Sequence, residues 1–205
     1  MSAVFSPPHI HDSGRWKNKR VGLLGGSFNP PHEGHIHASM VAQRALQLDV
    51  VWWMVTPQNP LKEKSSSAFE KRMALCEDFT RHYPEILVTD IENEIGTNKT
   101  WLTVSKLRRL FPLTEFVWIT GMDNALSMHK WHHWRRILQA VPTAHVARPP
   151  AWNLIEQCPL KMLSQQNHFF LDRSQKVNLK PGNTYWLLQK QLLDVSSTNI
   201  RKSNS

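Results

Sequence analysis

Only two of the 205 residues are cysteine, Cys76 and Cys158, and they fall in separate apolar contexts. That suits a reducing, cytoplasmic setting better than a disulfide framework, with each thiol read as a small core residue rather than a nucleophile. Long apolar runs are missing too. None approaches the ~20 residues of a membrane span, so no membrane partner is expected. Residues 1–18 mix Pro, His and Asp with no apolar h-region and read as a flexible N-terminal extension, neither signal peptide nor anchor. Acidic side chains are scarce, 16 against 25 Lys and Arg, and the formal net charge of +9 favours anionic partners. No helix-turn-helix, zinc finger or RNA-binding aromatic signature accompanies that charge, which argues against nucleic acid, whereas a substrate with several phosphates accounts for part of it. Tyrosine occurs twice and tryptophan nine times. Many of the indoles are expected in the core and a few on flat ligand rings. There is no internal repeat and no composition break, so residues 19–205 are read as one domain.

Apolar, β-rich runs recur at Val21–Leu24, Val50–Val55, Ile86–Val88, Phe116–Thr120 and Ala144–Ala147. Between them the spacing of apolar residues predicts helices over His35–Leu48, Phe69–Thr80, Leu102–Leu110 and Trp131–Val141. Alternation of this kind implies an α/β fold, a single Rossmann-like domain with a mainly parallel sheet flanked by helices. Beyond Pro149 the pattern weakens, to a possible helix at Asn153–Leu163 and short strands at Phe169–Leu171 and Thr184–Leu188. Ligands of parallel sheets bind past the C-terminal strand ends, and three polar segments sit there: residues 25–35, 56–62 and 121–123.

The first of these reads Gly25-Gly26-Ser27-Phe28-Asn29-Pro30-Pro31-His32-Glu33-Gly34-His35. We read it as a phosphate site. Two glycines allow backbone turns that a Cβ would block and expose N–H groups, and a helix begins near Gly34. His32 and His35, three apart, can face one ligand. No Gly-Lys-Ser/Thr follows, the Gly-x-Gly-x-x-Gly spacing is absent, and the histidines are not four apart around a Glu, so no protein-held metal is expected.

This segment resembles the H-x-G-H signature of the nucleotidyltransferase superfamily. Val55 to Lys62, Gly121-Met122-Asp123 with Trp131 and Ile137, and Ser196-Ser197-Thr198-Asn199-Ile200-Arg201 resemble, in order, three further motifs of one family, bacterial nicotinate-nucleotide adenylyltransferase. The resemblance implies transfer of the adenylyl group of ATP to nicotinate mononucleotide, giving deamido-NAD and pyrophosphate. It assigns His32, His35 and Arg201 to the reaction. ATP contacts fall to Gly25, Gly26, Ser27, Phe28, Gly34, Gly121, Asp123, Ser197 and Thr198. Acceptor contacts fall to Asn59, Lys62, Thr100, Trp101, Trp131 and His132.

Plainer readings stand beside several of these. Ser197 and Thr198 have the chemistry of an ordinary helix N-cap, and so does Asp123. Lys62 can be a solvated surface lysine. Trp101 and Trp131 can be core residues, and Lys99 stands where the family commonly has tyrosine. Mg²⁺ is expected, held mainly through ATP phosphates. Two alternatives remain open: a phosphopantetheine or other mononucleotide adenylyltransferase, and a nucleotide-binding regulator without turnover.

Overall fold

The computed structural model describes residues 4–5, 13–57, 69–147 and 155–188. Among these, eight strands form one sheet: β1 Val4–Phe5, β2 Arg20–Gly26, β3 Val50–Val55, β4 Ile86–Thr89, β5 Glu115–Gly121, β6 Thr143–Ala147, β7 Asn167–Leu171 and β8 Asn183–Leu188. Their order is β1-β4-β3-β2-β5-β6-β8-β7, and every pairing is parallel. Six helices connect or cover them: α1 Glu33–Leu46, α2 Phe69–Thr80, α3 Ile91–Glu94, α4 Thr100–Leu110, α5 Met122–Ser127 and α6 Trp134–Ala140.

Strand β3 shows why the sheet is buried on both faces. Successive side chains point to opposite sides of a strand. Trp52 and Met54 accordingly join one core cluster with Trp16, Trp118 and Trp186, while Val51, Trp53 and Val55 join the other with Leu24, Ile36 and Val117. Both cysteines are free and buried.

The expected strands are all present, and so are the four helices expected before residue 149, with shifted ends. Helix α4 starts two residues early, at Thr100, and α6 starts only at Trp134, because Met128–Lys130 form a 3-10 turn and His133 takes a left-handed conformation (φ 52°). The helix expected over 153–163 does not continue through its described part: from Ile155 only two residues are helical before turns take over. Pro159 lacks an N–H and disfavours a helical Cys158, which is sufficient cause. Residues 13–18, read from sequence as part of an extension, pack against the domain. Ser13–Trp16 form a 3-10 turn that buries Trp16, and the Asn18 N–H donates to the Leu113 carbonyl. No helix among the described residues is long and apolar enough to cross a membrane.

The strand order positions the site. From β2 the chain winds outward through β3 to β4, then returns to place β5 on the other side of β2. The connections leaving β2 and β5 therefore diverge, and a crevice opens past their C-terminal ends. Gly26 ends one strand and Gly121 the other.

Candidate active site

Strand β2 runs through both glycines, with Gly25 opposite Met54 and Gly26 opposite Val55. This corrects the expectation that Gly25 and Gly26 form the turn. Neither has a positive φ; Phe28 does, at 44°. The glycines are there for close approach instead. A Cβ on Gly25 would meet the Trp118 ring at 3.0 Å, and one on Gly26 would meet the Phe28 ring at 3.2 Å. Phe28, assigned from sequence to ATP, is 1% exposed and does not line the crevice. It stacks on Trp53 (4.8 Å, 18°) and packs beneath His35 at 4.7 Å.

His32 is the N-cap of α1 and His35 the third residue of its first turn, and together they replace the usual Ser/Thr and Glu of a capping box. His32 Nδ1 accepts from the Gly34 N–H (3.1 Å), and His35 Nδ1 accepts from the His32 N–H (3.2 Å). A neutral imidazole that accepts at Nδ1 carries its proton on Nε2, so both rings are set as Nε2–H donors. Their centroids lie 3.8 Å apart. Below them, the Trp53 indole N–H donates to Ser39 Oγ, and that hydroxyl donates to the His35 carbonyl, both at 2.8 Å.

Sequence reasoning missed Arg72. It is 1% exposed, and its guanidinium donates to the carbonyls of Ser27 (2.6 Å), Thr56 (2.9 Å) and Pro57 (2.9 Å). One buried cation thus fastens the turn after β2 to the loop after β3. A signal existed: Arg72 lies three residues after Phe69 and four before Cys76, on the apolar face of α2.

Glu92 was missed as well. It lines the crevice at 4% exposure and accepts from the Thr103 hydroxyl at 2.8 Å, tying α3 to α4. Burial pushes its pKa up, partly offset by the hydroxyls of Thr103 and Thr56.

The crevice is one cavity of about 510 Å³. Its donor end is walled by Gly25, Gly26, Ser27, Gly34 and both histidines, with Gly121 and Asp123 alongside. Asp123 lies in the first turn of α5, whose N-cap is Gly121. Thr100, Trp131 and His132 wall the other end together with Asn98, Lys99 and Lys130. Trp101 is not among the lining residues. Its indole N–H donates to His132 Nδ1 at 3.0 Å and its ring packs edge-on against His133. Two indoles line the cavity, Trp118 and Trp131, packed edge-on to each other; Trp118 is 3% exposed, and Trp131, only partly buried, offers the more open ring to a ligand.

Asn59, Lys62, Ser197, Thr198 and Arg201 lie outside the described residues. Among the described residues no group of three or more His, Cys, Asp or Glu side chains is placed to hold a metal ion. The donor set fits a divalent cation carried on substrate phosphates: N–H groups for the phosphate oxygens, and one exposed carboxylate, Asp123, nearby.

Comparison with known proteins agrees with this geometry. The family model for cytidylyltransferase-like proteins matches residues 23–203. A relative from Ruegeria pomeroyi, named "probable nicotinate-nucleotide adenylyltransferase", is 38% identical over 190 residues, covering 88% of this chain and 84% of its own. A second so named, from Ruegeria sp., is 36% identical and covers 89% and 96%. Among solved structures, Plasmodium falciparum nicotinic acid mononucleotide adenylyltransferase complexed with NaAD superposes with a TM-score of 0.69 over 90% of this chain and 83% of that one, at 15% identity, which speaks to the fold. By sequence and architecture the chain belongs to the cytidylyltransferase-like family and, within it, to the nicotinate-nucleotide adenylyltransferases.

Proposed function

We propose that the protein transfers the adenylyl group of ATP to nicotinate mononucleotide, releasing pyrophosphate and forming deamido-NAD for NAD biosynthesis. One observation supports this above the others: a single cavity joins a wall of N–H donors at His32 and His35 to a wall with an available indole, Trp131. The first suits a triphosphate and the second an acceptor's flat ring.

An oxygen of the acceptor's 5′-phosphate attacks the α-phosphorus of ATP, and the bond from that phosphorus to the bridging oxygen of the β-phosphate breaks. The acceptor phosphate, with a second pKa of about 6, is already largely dianionic at neutral pH, so no catalytic base is required. Catalysis then rests on positioning and on stabilising charge. His32 and His35 donate their Nε2–H groups to phosphate oxygens around the α-phosphorus, with His35 making the direct α-phosphate contact. Asp123 accepts from ribose hydroxyls. Arg201, with Ser197 and Thr198, neutralises the leaving phosphates. A divalent cation, Mg²⁺ by its preference for phosphate oxygens and water, supplies further charge neutralisation when bound with ATP. Free thiols at Cys76 and Cys158 suit work in a reducing cytoplasm.

The test is initial rates with ATP, Mg²⁺ and either mononucleotide. Thr100 opens α4 behind an N-cap, Lys99, that makes no side-chain cap bond, so the first N–H groups of that helix serve an anionic substituent. The nicotinate form should exceed the nicotinamide form by at least about tenfold in kcat/KM, a difference of about 1.4 kcal/mol. Equal efficiencies, or a preference for the amide, would overturn the deamido assignment and leave adenylyl transfer intact. Pyrophosphate release with phosphopantetheine instead would select the second reading, and ATP binding with no turnover of any acceptor the regulator.

A further inference from the structure

Strand β7 ends the sheet on the side away from the crevice: it pairs with β8 alone, and among the described residues no strand covers its outer side. Backbone groups that turn away from β8 are therefore a row open to another strand. Sheet edges are usually blunted by brevity, charge or proline. The opposite edge, β1, is two residues long. Strand β7 has five residues and neither of the other devices, since no Lys, Arg, Asp, Glu or Pro occurs between Lys161 and Asp172, in a chain whose net charge is +9. Its apolar rings line both faces. Phe169 stacks on Tyr185 (5.3 Å, 23°) and Phe170 on Trp186 (6.5 Å, 21°), yet they stay 42% and 43% exposed.

We propose that β7 docks on β7 of a second copy of this chain, antiparallel about Phe169, so that two sheets join into one. Such a two-fold interface must be complementary to itself. The axis sets Phe169 opposite its own copy on one face and His168 opposite Phe170 on the other, which brings the exposed rings together and removes them from water. Further along, Gln166 of one copy faces Asp172 of the other, and Gln165 faces Arg173. The charges at the end of β7 thus meet carboxamides, and no like charges meet. Gln166 is already set for its part: its oxygen accepts from the Thr184 hydroxyl at 3.0 Å, which leaves its NH₂ to donate to the carboxylate. Sliding the axis two residues to Leu171 would set Asp172 against Phe170 instead, so charge and ring pattern together select Phe169. One five-residue strand per copy makes a small interface, and a dissociation constant on the order of 10 μM is expected.

The test is sedimentation velocity of the full chain from about 1 to about 100 μM, a range that brackets the expected constant, on wild type, Phe169→Lys, Phe169→Glu and an equal mixture of the two variants. Because residue 169 faces itself, either variant alone sets like charges across the axis, and the mixture sets opposite ones. Wild type should dimerise, each variant should do so at least about tenfold more weakly, and the mixture should recover to within about threefold of wild type. Phe169 is half-exposed and β7 lies three strands beyond β5, so melting temperature and turnover should not move in either variant. Hydrogen exchange on wild type adds a measurement that needs no variant: protection of the β7 amides should rise with protein concentration. A wild type monomeric throughout, a dimer that Phe169→Lys leaves as tight, or a mixture no tighter than its components would each overturn the proposal. So would β7 amides protected equally at every concentration, which would give the edge to a segment of the same chain.

Discussion

At the donor end of the cavity His32 is 7% exposed, both histidines are tied through Nδ1 to backbone N–H groups, and the buried Arg72 fastens the adjoining loops through three carbonyls. At the acceptor end His132, His133, Lys99 and Arg136 are exposed, and Trp101 joins them by side-chain contacts. The chemistry needs the first kind of construction where charge develops. Donors fixed in a low-dielectric wall cost no reorganisation as the reaction proceeds. Recognition of a substituent needs less, and exposed charges deliver less because solvent and salt screen them. Changes at the donor end should therefore be large and insensitive to salt, and those at the acceptor end small and sensitive to it.

The largest expected effect is His35→Ala, which should lower turnover by about two to three orders of magnitude, as loss of one preorganised donor usually does. Steady-state rates beside a thermal melt decide it: a near-normal rate with a normal melt would place His35 outside the reaction. Arg72→Leu comes next. Three carbonyls lose a charged donor in a buried site, so stability should fall by about 3 kcal/mol in urea unfolding, with turnover reduced as the loops separate. Stability equal to wild type would show that the loops hold without it.

Trp131→Ala should raise acceptor KM about tenfold with kcat less affected, since a lost stacking face is worth about 1–3 kcal/mol. An unchanged acceptor KM would move ring recognition elsewhere. The smallest effect sharpens the contrast most. Lys99→Gln should raise acceptor KM about threefold at low salt, and the difference should vanish near 1 M salt, where the screening length is about 3 Å. A salt-independent effect would mean that Lys99 makes a direct, desolvated contact.

How much of this was legible beforehand varied with the distance over which each interaction acts. The start of α1 near Gly34 and the burial of both cysteines followed from local spacing and composition. The roles of Gly25, Gly26 and Phe28 did not, because they depend on the rings of Trp118 and Trp53 arriving from β5 and β3. A sequence reader gives the turn to the glycines; the fold gives the left-handed residue to Phe28 and leaves the glycines in the ladder. Trp101 was open between stacking and core. It packs, partly buried, against the core and off the cavity lining, held by His132 and Arg136 more than thirty residues away, across the packing of α4 on α6.

By itself the sequence determined the class of architecture, through hydrophobic periodicity, and the family, through motifs whose residues are close in the chain. Those are local properties, carried by side-chain order and backbone propensity. Only the tertiary structure decided which strands flank the crevice, that Arg72 fastens the loops beside it, that Glu92 lines it, and which tryptophans face the cavity. Each of those depends on a partner brought near by strand order and helix packing, and a hydrogen bond takes its direction only once both of its ends are in place.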